Sequence, residues 1–312
     1  MAEIDIRQIN EAVLKNPRAA VLLAEDEYHA KLDEIASRVA KNDKIKVILL
    51  AGPSGAGKTT GANLLSDKIK LGGRECMVVS LDNFYRSSND PDYPKCDTGE
   101  LDLEAVEALN LPDLRQTLEN ISHNKPFQIP RYDFKLGRRS GIEEYPEISH
   151  GCVVSEGLHA LNPKIFSVLS GENMLRVFIS VSTNINNEHG ERIISGRKVR
   201  FVRRLVRDSL YRGADAEKTL ELWKNVLVGE DKYLYPNRVF ADVEFNTFHF
   251  YEPCLMRPFV EKLISAELSA RDEYAATVLF ALRCAESIPI DIIPDDSLMR
   301  EFVPGGKYES LY

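Results

Sequence analysis

The sequence of 312 residues predicts an α/β protein built on a doubly wound parallel sheet. The first observation is a series of short, continuous apolar segments, KVILLAG, CMVVSLD, CVVSEG and LRVFISV. The second is that segments with apolar residues at helical spacing separate these runs. Strands that are apolar on both faces and alternate with helices are typical of a parallel sheet covered by helices on both sides.

Three parts of the chain differ in their patterns. Residues 1–42 carry two helical patterns interrupted near Pro17, and we expect an extension packed on the main domain, with a separate functional module as the alternative. Residues 43–270 hold the predicted sheet. Within them, the prolines and aromatic residues of 125–148 predict a small hairpin lobe outside the sheet. Residues 271–312 predict a C-terminal helix and tail.

The composition is that of an ordinary globular chain, with 44% hydrophobic and 28% charged residues. A formal net charge of -8 at pH 7 disfavours a surface that binds nucleic acid or an anionic membrane as a whole. The five cysteines are widely spaced and form no C-x-x-C pair, which argues against a zinc site or a disulfide framework. The acidic start MAEIDIRQIN and the lack of a long apolar run predict neither a signal peptide nor a membrane span. We therefore expect a cytoplasmic protein with no membrane or nucleic-acid partner.

The first predicted strand runs into a glycine-rich loop. The segment GPSGAGKTT matches G-x-x-x-x-G-K-[ST] at Gly52, Gly57, Lys58 and Thr59, between a buried strand and a helix. Loop N–H groups converge on phosphate oxygens, Lys58 reaches the outer phosphates and Thr59 offers a hydroxyl to Mg²⁺. The context disfavours the alternative of a glycine-rich turn without phosphate, and indicates the P-loop NTPase type of sheet. The predicted nucleotide-binding residues are Gly52, Ser54, Gly55, Ala56, Gly57, Lys58, Thr59 and Thr60.

Two acidic residues end other predicted strands, at the sheet edge where ligands of open α/β proteins bind. Asp82 follows CMVVSL and could accept a proton from an attacking hydroxyl, with Tyr85 as a wall of an acceptor pocket. A turn residue or helix cap is the alternative for Asp82. Glu156 ends CVVSE, where an acidic group could hold a magnesium-bound water, and a turn carboxylate is the alternative.

Residues 196–235 are predicted to be helical and begin with a basic segment, GRKVRFVRRLVRDSLYRG. On a helix, Arg200, Arg203, Arg204 and Arg207 fall within about 100° of arc. Such a face could be solvated or contact nucleic acid, but beside a P-loop it is expected to close over the triphosphate as a lid and stabilise the transferred phosphoryl group.

Together these motifs resemble the phosphoribulokinase/uridine kinase family, in its uridine-cytidine kinase branch. The segments GPSGAGKTT, SLDNFYR, IPRYDF, VVSEGLHAL, RRLVRD, YRG and ADVEFN arrive in the family's order, over about residues 44–259. The resemblance implies transfer of the ATP γ-phosphate to the 5'-hydroxyl of a nucleoside, uridine or cytidine first, with Mg²⁺. It also implies assembly as a homo-oligomer. The ending IPDDSLMREFVPGG is similar to that of uridine kinase-like domains fused to synthetase-like segments in some bacterial proteins.

The resemblance also assigns roles to individual residues. Asp82 would be the catalytic base and contact the ribose, and Glu156 would serve magnesium together with Thr59. Asp102 would bind ribose hydroxyls, and Tyr132 and Phe134 would surround the pyrimidine. Arg204 and Arg207 would be lid arginines that also contact the substrate, with Arg212 as a further candidate. These roles add to the catalytic part of Lys58 and the substrate contact of Tyr85 expected above.

The sequence departs from the family pattern in two places. Near Gly137, in KLGRR, the pyrimidine kinases have a histidine thought to read the base. The segment 182–195 is longer than expected, which could alter the lid or an oligomer contact. Two other functions therefore stay open: a kinase of another hydroxyl compound such as pantothenate or a sugar phosphate, and a non-catalytic nucleotide-binding regulator. A phosphorylated acceptor would need extra cations, for which Arg131, Arg138 and Arg139 are candidates.

Overall fold

The computed structural model describes residues 2–96 and 99–311. Its strands are β1 (Ala2–Asp5), β2 (Val47–Ala51), β3 (Cys76–Ser80), β4 (Phe127–Asp133), β5 (Arg138–Tyr145), β6 (Cys152–Glu156), β7 (Met174–Ser180), β8 (Thr183–Asn186), β9 (Arg192–Ile194) and β10 (Val243–Asn246). Its α-helices are α1 (Ile6–Lys15), α2 (Pro17–Ala40), α3 (Lys58–Leu71), α4 (Leu111–Ser122), α5 (Pro163–Phe166), α6 (Gly196–Tyr211), α7 (Ala216–Gly229), α8 (Glu252–Leu263), α9 (Ala266–Arg271) and α10 (Glu273–Arg283). A π-helical turn, Glu230–Leu234, follows α7, and a 3₁₀ turn, Leu298–Glu301, lies in the C-terminal tail.

The central sheet has five strands in the order β10-β7-β2-β6-β3, and all neighbours are parallel. Alternate residues of β2 serve opposite faces, as the strand period requires. Ile48 and Leu50 join the core under α2, α3 and α6, whereas Val47 and Leu49 join the core under α4. The prediction of a doubly wound parallel sheet is therefore confirmed.

The strand order brings three carboxyl ends together at one edge. β2 lies between β7 and β6, and β6 lies between β2 and β3. The register pairs Glu156, the last residue of β6, with Leu50 of β2 and with Ser80 of β3. The P-loop after β2, Glu156 and Asp82 just after β3 must consequently meet in space.

The N-terminal extension and the segment 182–195 form a second, three-stranded sheet. β1 pairs in parallel with β8, and β8 pairs in antiparallel fashion with β9. Buried Ile9 and Leu32 of α1 and α2 belong to the same hydrophobic core as the P-loop helix α3. The long segment after β7 therefore folds against the extension. The division of the chain into residues 1–42, 43–270 and 271–312 stays a prediction.

The hairpin lobe consists of β4 and β5 in antiparallel pairing. Phe127 and Ile129 bury their side chains in the core under α4. Gly137, in the turn between the strands, has a φ of +61°, and a Cβ there would lie 3.0 Å from Ser88 Oγ. This backbone conformation, which side chains rarely adopt, accounts for a glycine at this turn.

Within residues 2–96 and 99–311, none of the helices combines the length and the hydrophobicity of a transmembrane segment.

Arg74, a buried residue just before β3, ties the end of α2 to the sheet. Its guanidinium donates to Val39 O (2.8 Å) and Asn42 O (3.1 Å) on one side and to Gly151 O (3.1 Å) on the other. It also donates to the carbonyls of Asp43 and Ile45. One side chain thus satisfies five backbone acceptors where the extension enters β2.

We expect Arg74→Met to lower the free energy of unfolding by about 3 kcal/mol, because it leaves buried carbonyls without donors. Urea unfolding followed by circular dichroism measures this. Arg115→Met is the control, since Arg115 is exposed on α4 and should change stability by less than about 0.5 kcal/mol. A loss of less than about 1 kcal/mol for Arg74→Met would contradict the role of this contact.

Candidate active site

The P-loop is tightly packed against β7 and the C-terminal tail. A Cβ on Gly52 would lie 2.5 Å from Ile179 O, and one on Gly57 would lie 2.5 Å from Leu298 Cδ1. Gly57 has a φ of +85° and precedes the first residue of α3, Lys58. Glycine therefore satisfies both a backbone and a packing requirement where the loop turns into the helix. The amino end of α3, which favours anions, faces the sheet edge.

Arg200 and Arg203 of α6 support the loop rather than face the cavity. Arg200 donates to Ser54 O (2.8 Å) and, through both terminal nitrogens, to the carboxylate of Glu230 (2.7 and 2.8 Å). Glu230 also accepts from the Ser54 N–H at 2.9 Å. Both charged side chains are at most 1% exposed. This ion pair clamps the P-loop backbone from two sides.

Arg203 makes a second clamp of the same kind. Its Nη1 donates to Gly55 O (3.2 Å), and its Nε donates to Glu252 Oε2 (2.6 Å) at the start of α8. The basic helix is thus neither a solvated surface nor a face with four free cations. Arg200 and Arg203 bind carbonyl oxygens of the P-loop backbone. This differs from the expectation that all four arginines point at the triphosphate.

Three later arginines of this segment reach the cavity. Arg204, Arg207 and Arg212 line it together with Lys58. Asp208 orients all three, since it lies 3.1 Å from Arg204, 3.0 Å from Arg207 and 3.5 Å from Arg212. Burial lowers the pKa of Arg204 and Arg212, but neither guanidinium loses its charge at neutral pH. The structure therefore concentrates positive charge opposite the P-loop.

The cavity has a volume of about 230 Å³ and is also lined by four carboxylates. Asp82 and Glu156 were predicted from the sequence. Glu104 and Glu301 were not, because the loop carrying Glu104 has no recognisable motif and Glu301 lies in the C-terminal tail. The similarity of the tail to fused uridine kinase-like domains was the signal that could have drawn attention to Glu301. Thr59 and Tyr85 complete the polar lining together with Ser54.

The carboxylates after β3 and β6 have perturbed acidity. Burial raises the pKa of Glu156 to about 7, and the nearby charge of Asp82 acts in the same direction. Asp82 is accessible from the cavity, but the protein atoms around it still displace water and raise its pKa, against the opposing effect of Lys58 and Arg212. Two carboxylates thus share one site with a cluster of cations, as at many sites of proton transfer or metal binding.

A second cavity of about 530 Å³ adjoins the first, and Glu104, Arg204 and Val226 line both. Asp102 lies in its wall, where Tyr233 OH donates to Asp102 Oδ2 at 2.6 Å and Lys232 Nζ is 3.8 Å away. Burial raises the pKa of Glu104, and the charges of Glu230 and Asp82 add to this effect. The rest of the wall is largely aliphatic, with Leu101, Leu103, Leu222, Val226 and Val228.

The predicted aromatic residues form one cluster beside the first cavity. Tyr85 lies 5.7 Å from Tyr132 and 6.2 Å from Phe134 between ring centroids, and the latter two rings are 5.0 Å apart. Tyr85 lines the cavity, whereas Tyr132 and Phe134 contact the Tyr85 ring from the hairpin. Phe134 is 65% exposed. Among the described residues, neither hairpin ring lines either cavity.

A P-loop, a base candidate and a set of arginines around one cavity define a phosphoryl-transfer enzyme, an ATP-dependent kinase. The comparison with known families agrees with this class. The chain belongs to the phosphoribulokinase / uridine kinase family, whose sequence profile matches residues 47–250. The match begins at β2 and ends before α8, so it includes every site residue predicted from the sequence, whereas Glu301 lies outside it.

Individual relatives are similar over the same region. The uridine kinase of Borrelia hermsii (strain HS1 / DAH) is 28% identical over 200 residues, covering 64% of this chain and 85% of the relative. The uridine kinase of Lactobacillus helveticus (strain DPC 4571) is 27% identical over 211 residues, covering 66% and 88%. Among solved structures, D-glycerate 3-kinase from Cryptococcus neoformans var. grubii serotype A aligns with a TM-score of 0.43 and 17% identity, covering 62% of this chain and 80% of that one.

We expect Glu230→Gln to lower the free energy of unfolding by about 3 to 5 kcal/mol, because Arg200 is then a buried charge without its partner. The double variant Arg200→Met/Glu230→Met should lose less stability than the sum of the losses in Arg200→Met and Glu230→Met alone, since no charge is left unpaired. Urea titration of the variants measures both effects. Glu221→Gln, on the exposed face of α7, is the matched control. Additive losses in the double variant would contradict the clamp.

Proposed function

We propose that this kinase transfers the γ-phosphate of ATP to the 5'-hydroxyl of a nucleoside, with uridine and cytidine as the first candidates. The observation that carries the proposal is the junction of the two cavities. The P-loop cavity opens at Glu104 and Arg204 into a neutral-to-acidic cavity of sufficient size for a sugar and base. The names of the relatives in the family support the choice of nucleoside.

Asp82 is the proposed general base. It lies after β3, across the cavity from the P-loop, and its pKa is raised, which makes it a better proton acceptor than an ordinary aspartate. It takes the proton of the attacking hydroxyl as the new O–P bond forms and ADP leaves. Lys58, Arg204, Arg207 and Arg212 stabilise the charge on the transferred phosphoryl group.

Thr59 and Glu156 are the proposed magnesium site. Among the described residues, no group of three or more His, Cys, Asp or Glu side chains could hold a metal ion by itself. This fits Mg²⁺, which takes one or two protein ligands together with waters and substrate phosphates. The Thr59 hydroxyl and the buried Glu156 carboxylate line the same cavity. When bound with ATP, Mg²⁺ neutralises phosphate charge.

The second cavity is the proposed acceptor site, and its charge favours an unphosphorylated substrate. Asp102 and Glu104 present carboxylates suited to accept hydrogen bonds from hydroxyl groups. The cations considered for a sugar phosphate lie elsewhere. Arg139 pairs with Asp113 at 2.6 Å and Arg131 pairs with Glu143, while Arg138 is exposed on β5. In this cavity a second phosphate would meet the carboxylates of Glu100, Asp102 and Glu104, which outnumber its two cations, Arg204 and Lys232.

We expect Asp82→Asn to lower kcat by about 10²- to 10⁴-fold, because the amide cannot take the proton of the acceptor. The affinity for ATP, measured by calorimetry, should change by less than about threefold, since the P-loop is untouched. Asp90→Asn is the matched control, because Asp90 follows the same strand but forms an ion pair with Arg86. An unchanged kcat in Asp82→Asn would remove Asp82 from the mechanism.

A panel of acceptors tests the substrate class directly. The wild-type protein is incubated with Mg-ATP and uridine, cytidine, purine nucleosides, ribulose 5-phosphate or pantothenate, and ADP release and product mass are measured. We expect a nucleoside 5'-monophosphate as the product and no phosphorylation of ribulose 5-phosphate, because carboxylates outnumber cations in the acceptor cavity. Turnover of ribulose 5-phosphate with inert nucleosides would overturn the proposal.

A further inference from the structure

The C-terminal tail runs over the first turn of the P-loop helix. Leu298, Met299, Phe302 and Val303 are completely buried, and the Leu298 side chain fills the space beside Gly57. These residues belong to the same hydrophobic core as α3. The tail is therefore a fixed part of the nucleotide site, although it lies outside the segment that the family profile matches.

Two polar contacts anchor this part of the tail to the rest of the protein. Ser297 Oγ donates to Glu25 Oε1 of α2 at 2.7 Å. The guanidinium of Arg203 lies over the Phe302 ring, 5.3 Å from its centroid. With the backbone held on both sides of Glu301, only the side chain of Glu301 can move within the cavity.

The Glu301 carboxylate occupies donors that a P-loop uses for phosphate. Its Oε2 accepts from the Thr60 N–H at 3.2 Å, in the first turn of α3. Its Oε1 lies 3.8 Å from Arg207 Nη1. Glu301 is 4% exposed and faces the cavity that holds Lys58. A negative charge of the protein thus stands at an anion site of the helix terminus.

We propose that Glu301 competes with the nucleotide phosphates for the Thr60 amide and Arg207, and so sets the affinity of the kinase for nucleotide. Two anions cannot share these donors without strong repulsion. Nucleotide binds the fraction of molecules in which the carboxylate has turned away, and the apparent dissociation constant rises in proportion. The return of Glu301 to the Thr60 amide would in turn favour release of ADP.

The test measures nucleotide binding to the full-length protein without an acceptor. Titration calorimetry gives the Kd of ADP and of inorganic tripolyphosphate for the wild type and for Glu301→Gln. Glutamine keeps the size of the side chain and an oxygen that can accept from Thr60, but not the charge. We expect the Kd of both ligands to fall about tenfold. Tripolyphosphate shows whether the gain arises at the phosphates.

Glu309→Gln is the matched control in the same tail. The carboxylate of Glu309 accepts from Tyr211 OH at 3.2 Å, outside the residues that line the cavity. The Kd values of Glu309→Gln for ADP and tripolyphosphate should remain within twofold of those of the wild type. Under turnover conditions, Glu301→Gln should lower KM for ATP without raising kcat, because tighter binding of ADP slows product release.

A second variant keeps the charge but shortens the side chain. Glu301→Asp cannot reach the Thr60 amide as closely, and we expect a Kd for ADP between those of the wild type and Glu301→Gln. Thermal unfolding of each variant shows whether it is folded at the temperature of the titration. If Glu301→Gln is not folded at that temperature, the comparison of Glu301→Asp with the wild type decides.

Two results would overturn the proposal. A Kd for ADP that stays within twofold of the wild type in the folded variants would show that Glu301 does not compete with phosphate. A Kd that rises threefold or more would show that the carboxylate supports the bound nucleotide instead. Neither result depends on the identity of the acceptor, so the proposal can fail while the nucleoside kinase assignment stands.

Discussion

The geometry of this nucleotide site depends on the neutralisation of buried arginines beneath the P-loop. Arg200 and Arg203 are fully buried, and each has a carboxylate partner from a different element, Glu230 after α7 and Glu252 at the start of α8. Burying such charges is costly unless each is paired and hydrogen-bonded. Because the same guanidinium groups donate to carbonyls of the P-loop, the loop conformation, α6 and α8 are fixed together.

This arrangement divides the work of one helix between structure and chemistry. Arg200 and Arg203 face the loop backbone. Arg204 and Arg207, each four residues further along the helix than one of them, face the cavity. Asp208 then orients the second pair from within the same helix. The buried ion pairs keep the P-loop rigid, and Asp208 orients the cations that face the cavity. Both features suit an enzyme whose catalysis is largely positioning and electrostatic stabilisation.

The sequence predicted what depends on local patterns. The strands of the central sheet, the P-loop with Lys58 and Thr59, and the positions of Asp82 and Glu156 follow from apolar runs and from the residues that end them. Interactions between distant segments were beyond such patterns. The helical arc of arginines said nothing about Glu230 and Glu252, and therefore made four cations look equivalent. Strand β1 was missed because four residues are too few to show a period, and its partner β8 lies 181 residues further along the chain.

The contact between Glu25 and Ser297 links the two ends of the chain. Glu25 accepts from Ser297 and from Tyr251, and it is buried together with His249 in the interior. Neither α2 nor the tail can leave without exposing polar groups that the other one satisfies. Helix α2 and the tail are therefore coupled through one buried group of hydrogen bonds. A relative that has gained or lost one of them would have to change the other, so both ends should appear or vanish together when the family is compared.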